Sequence, residues 1–294
     1  MLHHAIDLGY KHLDTARLYG RGHNEALLSR VLKNRRDEVF LASKCGIEFP
    51  DGKRTIDCSP DTIRQAVEKS LLTLQVDRID LYYLHRRDFN TPIEDSIGAL
   101  AELKSEGKIG GIGLSEMSAD TLRRAHAAHP IAAMQSEYSL WTRNPELGVL
   151  DTCKELGVSF AAFSPVARGA LAKMELNPAS LEDGDLRKRH PRFSNEHWPA
   201  NKRLVTCFGH LADENGLSPA QLSLAWVLSR GDHVHVIPGT GSIAHLEENF
   251  AAQNIKISES VLDAAGLLIN HETVSGHRYP VNRHNTIDTE DFVD

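Results

Sequence analysis

Short apolar runs recur along the chain, separated by stretches in which apolar residues return every three or four positions. The runs cover residues 12–15, 39–43, 80–84, 111–114, 132–136, 159–163 and 234–237. Each is only a few residues long and mostly apolar, which predicts strands buried on both faces, as in a parallel sheet. The stretches between them carry helix-end signals. Ser59-Pro60-Asp61 puts an N-cap serine and a first-turn proline ahead of residues 62–74. Thr91-Pro92-Ile93-Glu94 opens another helix with a capping-box glutamate, and Gly107 closes it. Ser118 caps residues 121–128, and Ser218-Pro219-Ala220-Gln221 is a capping box ahead of residues 222–229. Gly157 and Gly216 read as helix stops, as does Gly9 after residues 2–8. This alternation predicts parallel strands joined by right-handed crossovers.

The predicted class is therefore α/β, a TIM-type (β/α)8 barrel. The runs number seven, whereas the barrel needs eight strands, so the first strand is expected to be missing from this chain. Its neighbours would then keep unpaired edges. Barrels of roughly 250 residues form single domains, so residues 1–294 are expected to be one domain. Two segments break the rhythm. Residues 173–201 are polar, hold Pro178, Pro191 and Pro199, and show no period. So long a loop in a compact domain is usually functional or mobile. The tail, residues 271–294, is polar and aperiodic as well.

Composition adds exclusions. With 41% hydrophobic and 25% charged residues the chain has enough apolar material for a core. A net charge of -7 and the lack of a long basic run argue against nucleic acid or an anionic membrane as partners. The densest basic run, Arg187-Lys188-Arg189, reads as solvated surface. Cys45, Cys58, Cys153 and Cys207 are scattered, with no CxxC pair and no metal-like spacing to histidine. They read as reduced thiols, which points to the cytoplasm, and no metal site is expected. No apolar run approaches the roughly 20 residues of a membrane helix. The start of the chain, with His3, His4 and Asp7, does not read as a secretory leader.

In a β/α barrel, catalytic groups project from the C-terminal ends of the strands. Asp14 and Lys44 end two of the predicted strands, His85 follows a third, and Tyr19 lies in the loop after Asp14. Each has an ordinary reading by itself: Asp14 as a helix cap, Tyr19 as a packing aromatic, His85 as a structural histidine. Lys44 is harder to explain, because long cations avoid buried strand ends. Their shared position favours a site. A phenol, with a pKa of roughly 10, is a poor acid at neutral pH. A nearby ammonium stabilises its anion, a carboxylate holds that ammonium, and an imidazole can direct a carbonyl oxygen.

At these residues the sequence resembles the aldo-keto reductase superfamily. The run from His12-Leu13-Asp14-Thr15-Ala16 through Tyr19-Gly20-Arg21-Gly22-His23-Asn24-Glu25 is similar to the first family signature. Leu41-Ala42-Ser43-Lys44 is similar to the lysine strand and Tyr82-Tyr83-Leu84-His85-Arg86 to the histidine strand. Further blocks follow in family order: residues 107–115, Gln135-Ser136-Glu137-Tyr138-Ser139-Leu140, Phe163-Ser164-Pro165, Ile237-Pro238-Gly239-Thr240 and Leu246-Glu247-Glu248-Asn249. No block is decisive alone, but the ordered series, from about Ile6 to about Asn254, is specific. General bacterial and plant aldo/keto reductases are most similar.

The resemblance implies a single small-molecule reaction, the reduction of an aldehyde or ketone by NADP(H) or NAD(H). Tyr19 would be the acid, Lys44 and Asp14 its tuning partners, and His85 the group that orients the carbonyl. By family position Ser115 and Gln135 would bind the nicotinamide carboxamide and Phe163 would stack on its ring. Ser164, with backbone near Gly239 and Thr240, would reach the pyrophosphate, and Glu248 and Asn249 the adenine. There is no Gly-x-Gly-x-x-Gly fingerprint after a strand, so a Rossmann site is not suggested. One departure stands out. NADP-using relatives place cations after the Gly-Thr pair, where this chain has Gly241, Ser242 and His245. A 2′-phosphate prefers fixed cations, so weak NADPH selectivity or NADH use is expected. The alternatives are a non-catalytic nucleotide-binding or regulatory protein on the same barrel, or an inactive truncated form.

Overall fold

The computed structural model describes residues 1–292. The described chain is of the expected class, α/β, with seven parallel strands in the order of a (β/α)8 barrel. It divides into two compact units.

The first unit is Met1–Ser136, Gly148–Phe160 and Thr286–Glu290. Its strands are β1 (His12–Asp14), β2 (Phe40–Cys45), the short pair β3 (Ile47–Glu48) and β4 (Thr55–Ile56), β5 (Ile79–Leu84) and β6 (Ile109–Ser115). It also holds most of β7 (Ala133–Glu137) and the start of β8 (Ser159–Phe163). Its helices are α1 (Leu2–Leu8), α2 (His23–Arg35), α3 (Pro60–Leu74), α4 (Ile93–Ser105), α5 (Ala119–Ala128) and α6 (Val149–Leu156). The sheet order is β1-β2-β5-β6-β7-β8. Ile63, Val67 and Leu74 of α3 and Ile97, Leu100 and Leu103 of α4 are buried, as the helical spacing of their apolar faces requires.

Several strand ends differ from the sequence expectation. β2 runs to Cys45, so Lys44 lies inside the strand and not at its end. β6 begins at Ile109, two residues earlier than the apolar run, because Gly110 carries no apolar side chain to join Ile109 to it. The β3–β4 hairpin was invisible in the pattern, since two residues per strand are too few for alternation to show.

The register sets one side-chain row. Lys44 pairs with Tyr83 and Tyr83 with Gly113. A Cβ at Gly113 would collide with the Tyr83 ring, so only glycine lets that ring lie across β6. From that row Tyr83 also packs in one buried cluster with Ala42, Leu81 and Ala133.

The second unit is Glu137–Leu147, Ala161–Asn285 and Asp291–Asp294. It holds the last residues of β7 and β8, then α7 (Trp198–Glu214), α8 (Pro219–Leu228), β9 (Val234–Ile237), α9 (Ile243–Ala251) and α10 (Glu259–Leu268). The order β8-β9 completes the strand series. The Ser218–Gln221 capping box forms with both of its bonds. The stretch 173–201 is less irregular than its composition suggests. It holds 3-10 turns at Pro178–Ser180, Leu186–Arg189 and Pro191–Phe193, and α7 starts inside it at Trp198. Pro199 sits in the first turn of that helix, where a missing N–H costs nothing. Part of the tail is tied down: Asn201 and Ser275 exchange two hydrogen bonds of 2.8 and 2.9 Å.

Candidate active site

In the first unit the end of β1, the penultimate residue of β2 and the residue after β5 bring three of the four expected catalytic side chains together, and the loop after β1 adds the fourth. The Lys44 ammonium donates to Asp14 Oδ1 and to the Thr15 carbonyl at 2.9 Å. Lys44 is wholly buried and the Asp14 side chain 11% exposed. A buried ammonium is tolerable only when so paired. Asp14 is held from its other oxygen by Gln135 Nε2 at 2.9 Å. The ammonium lies 5.3 Å from the centroid of the Tyr19 ring and 5.6 Å from that of Tyr83, within the range where a ring face attracts a cation.

Tyr19 is 38% exposed and meets the His85 imidazole edge-on, centroids 5.9 Å apart at 84°. Its loop is braced. Arg17 pairs with the buried Glu25 at 2.9 Å, Ser43 Oγ donates to the same carboxylate at 2.7 Å, and Thr15 Oγ1 bonds Asn24 at 2.7 Å. Gly20, Arg21 and Gly22 all have left-handed backbone, φ 59°, 54° and 93°, which turns the chain sharply into α2.

His85 is 7% exposed, and its N–H extends the β2–β5 ladder by bonding Cys45 O at 2.8 Å. Burial pushes the imidazole pKa well below its ordinary value, and the charges of Arg86, Lys44 and Arg54 add to the effect. His85 is thus a neutral imidazole beside the phenol at neutral pH.

Ser115, the last residue of β6, pairs in register with Gln135. It is 1% exposed, and its Oγ has no hydrogen-bond partner among the described residues. A buried hydroxyl without a partner is uncommon and fits a group supplied from outside the chain. Tyr83 escaped the sequence reading, although it precedes His85 by two and so shares its face of the strand.

The remaining expected binding residues belong to the second unit. Phe163 ends β8 half-buried. Ser164, Ala167 and Arg168 after it all have positive φ, 53°, 50° and 56°, without being glycine. Such strain persists only where the surroundings impose it, and it concentrates at functional loops. Between β9 and α9, Thr240 Oγ1 accepts from Ser242 N at 3.1 Å. A Cβ at Gly239 or Gly241 would meet nothing, so neither glycine is needed for packing. His245 is 3.9 Å from Glu248 one turn on, and Asn249 follows, half-buried. Among the described residues no group of three or more His, Cys, Asp or Glu could hold a metal. Nor, among the described residues, is any helix long and apolar enough to cross a membrane.

Comparison with known proteins gives the same direction. The family model described as "Aldo/keto reductase family" matches residues 1–265. The chain is 42% identical over 287 residues to the aldo-keto reductase yakc [NADP(+)] of Schizosaccharomyces pombe, covering 95% of this chain and 84% of that one. It is 41% identical over 283 residues to the probable aldo-keto reductase 1 of Glycine max, covering 95% and 81%. Among solved structures, the glycerol dehydrogenase AKR11B4 of Gluconobacter oxydans superposes with a TM-score of 0.84 at 27% identity, over 95% and 86% of the two chains. An aldo-keto reductase of Klebsiella pneumoniae in complex with NADPH gives 0.72 at 27% identity, over 99% and 87%.

Proposed function

The chain belongs to the aldo/keto reductase family, and from that premise we propose that it reduces aldehydes or ketones to alcohols, with Tyr19 as general acid. It is an NAD(P)-dependent oxidoreductase of this family. The buried Ser115 Oγ, without a hydrogen-bond partner among the described residues, fits a nicotinamide carboxamide. Bound NAD(P)H supplies the hydride. The chain's own residues do the rest. Tyr19 gives its proton to the carbonyl oxygen as negative charge develops there. Lys44 stabilises the phenolate left behind, and Asp14, itself held by Gln135, keeps the ammonium in place. His85, neutral, shares a hydrogen bond with the carbonyl oxygen and orients it. The observation that carries the reading is the buried Lys44 ammonium set between the Asp14 carboxylate and the Tyr19 ring.

Binding roles in the second unit rest on the resemblance: Phe163 on the nicotinamide ring, Ser164, Gly239 and Thr240 at the pyrophosphate, Glu248 and Asn249 at the adenine. Gln135 keeps its amide oxygen for the carboxamide, since its nitrogen is used on Asp14. The 2′-phosphate would meet Gly241, Ser242 and His245, with no Lys or Arg among them and His245 beside an acid, so NADPH selectivity is expected to be weak. The same reading takes residues 1–294 as one catalytic domain and the unpaired cysteines as those of a cytoplasmic protein.

The test is NAD(P)H oxidation with a panel of aldehydes and ketones. Tyr19→Phe should lower turnover by about 10²–10⁴-fold while leaving cofactor binding, followed by fluorescence titration, unchanged. Turnover that survives the substitution would remove Tyr19 from its role. Cofactor binding without any turnover in the unsubstituted protein would favour a non-catalytic nucleotide-binding protein.

A further inference from the structure

Two tyrosine rings flank the Lys44 ammonium in the first unit, one reached by solvent and one closed to it. The nitrogen lies 5.3 Å from the centroid of the Tyr19 ring and 5.6 Å from that of the Tyr83 ring. Tyr19 is 38% exposed, whereas Tyr83 is wholly buried. Nor is Tyr83 a spare acid. Burial, then the Asp14 charge, pushes its phenol pKa well above the ordinary value, so the ring is neutral at neutral pH. Its Oη makes no hydrogen bond of ordinary geometry among the described residues, although a buried hydroxyl usually has one. What the barrel holds here is the ring and not the hydroxyl.

The fold gives up a side chain to make room for that ring. Lys44 of β2 pairs in register with Tyr83 of β5, and Tyr83 with Gly113 of β6. A Cβ built at Gly113 would run into Cδ1 and Cε1 of Tyr83, so the ring fills the space that any other residue at 113 needs. Glycine inside a strand is destabilising, through backbone entropy and lost packing. In exchange a π face lies against a cation.

The donors of the ammonium show what the face does. A lysine nitrogen has three N–H groups. One goes to Asp14 Oδ1 and one to the Thr15 carbonyl at 2.9 Å, which leaves one for the Tyr19 oxygen. Lys44 is wholly buried, so water does not complete its shell. A ring face attracts a cation without offering a lone pair, so it offsets lost hydration without competing as an acceptor. We propose that Tyr83 is a positioning residue for the reductase chemistry, its ring face holding the Lys44 charge in place for the Tyr19 phenol. This rests on the proposed role of Tyr19 as general acid, and it needs no contact between Tyr83 and substrate or cofactor.

The experiment replaces Tyr83 in the full chain by phenylalanine and by its 4-fluoro, 3,5-difluoro and 3,4,5-trifluoro derivatives. Each fluorine draws charge from the ring face and changes its size little, so a cation–π contact weakens stepwise. The urea unfolding midpoint, which requires no turnover, should fall with each fluorine and stay level when the series is repeated in Lys44→Met. If that background does not fold, 4-cyano- against 4-bromophenylalanine, alike in reach and unlike in ring charge, gives the same comparison, and the cyano form should have the lower midpoint. For turnover, Tyr83→Phe should keep most of kcat. The trifluoro ring should lower it by about twofold to thirtyfold, the span between an exposed and a desolvated cation–π contact, with KM and cofactor affinity little changed. Tyr83→Leu should lose at least as much. A merely structural ring would answer to size and not to ring charge. A level midpoint across the series, the same fall in Lys44→Met, or a kcat that ignores the fluorines in an active Tyr83→Phe protein would each overturn the assignment. No carbonyl reduction by the unsubstituted protein would instead overturn the proposed activity and the positioning role with it, while the midpoint series still decides whether the ring holds the charge.

Discussion

Lys44 concentrates the energetics of the candidate site, because its ammonium has no water to turn to. Lys44→Met would leave the Asp14 carboxylate facing an apolar side chain. Breaking a buried pair from one side typically costs about 3–5 kcal/mol, and urea unfolding of the variant should show a loss of that order together with loss of turnover. His85 sets a second expectation through pH. Its imidazole stays neutral in the folded chain to well below the ordinary value, chiefly through burial, whereas the unfolded chain takes up that proton near about pH 6.5. The unfolded state therefore binds more protons below that pH. The stability is fully present above it and falls as pH falls, by up to about 1.4 kcal/mol per pH unit for this one group. His85→Gln should remove that portion of the slope in urea melts between about pH 6.5 and 5. An unchanged slope would mean that the imidazole carries its proton in the folded chain.

Elements hold these residues in place, and their ends matter more than their middles. The α5 N-terminus shows how. Ser118 accepts from Thr121 N as a conventional cap, but the tail adds two more acceptors. Asp288 takes the Ser118 N–H at 3.0 Å and Glu290 the Ala119 N–H at 2.7 Å. Carboxylates at a helix N-terminus answer both the orphan donors and the dipole. Asp288→Asn with Glu290→Gln should cost about 1 kcal/mol per lost cap in chemical unfolding. Because the capped end follows directly on Ser115, the last residue of β6, cofactor affinity should fall with it. No loss in either measurement would show that water replaces the tail without penalty. The tail reads as structureless in the sequence because it has no period, and a segment fixed by its polar contacts to a distant helix needs none. β2 gives the converse lesson: its run stops where Lys44 interrupts the apolar pattern, yet the ladder continues to Cys45.

For the molecule as a whole, the choice of cofactor is the property most exposed to test. Neither Lys nor Arg occupies positions 241, 242 or 245, so the dissociation constants of NADH and NADPH should differ by less than about a hundredfold, or about 2.7 kcal/mol. A larger NADPH preference would require a cation from elsewhere in the chain. The β/α order and the seven strands were legible in the sequence alone, and the sequence singled out Asp14, Tyr19, Lys44 and His85, which the structure brings together. Strand ends are local features, and in this fold class chemistry gathers at them. Other features only the tertiary structure decided: Gln135 on Asp14, Tyr83 across Gly113 beneath the ammonium, and the acidic tail on α5. Each joins residues far apart in the chain, and its geometry depends on strand register and side-chain packing, which no local period encodes.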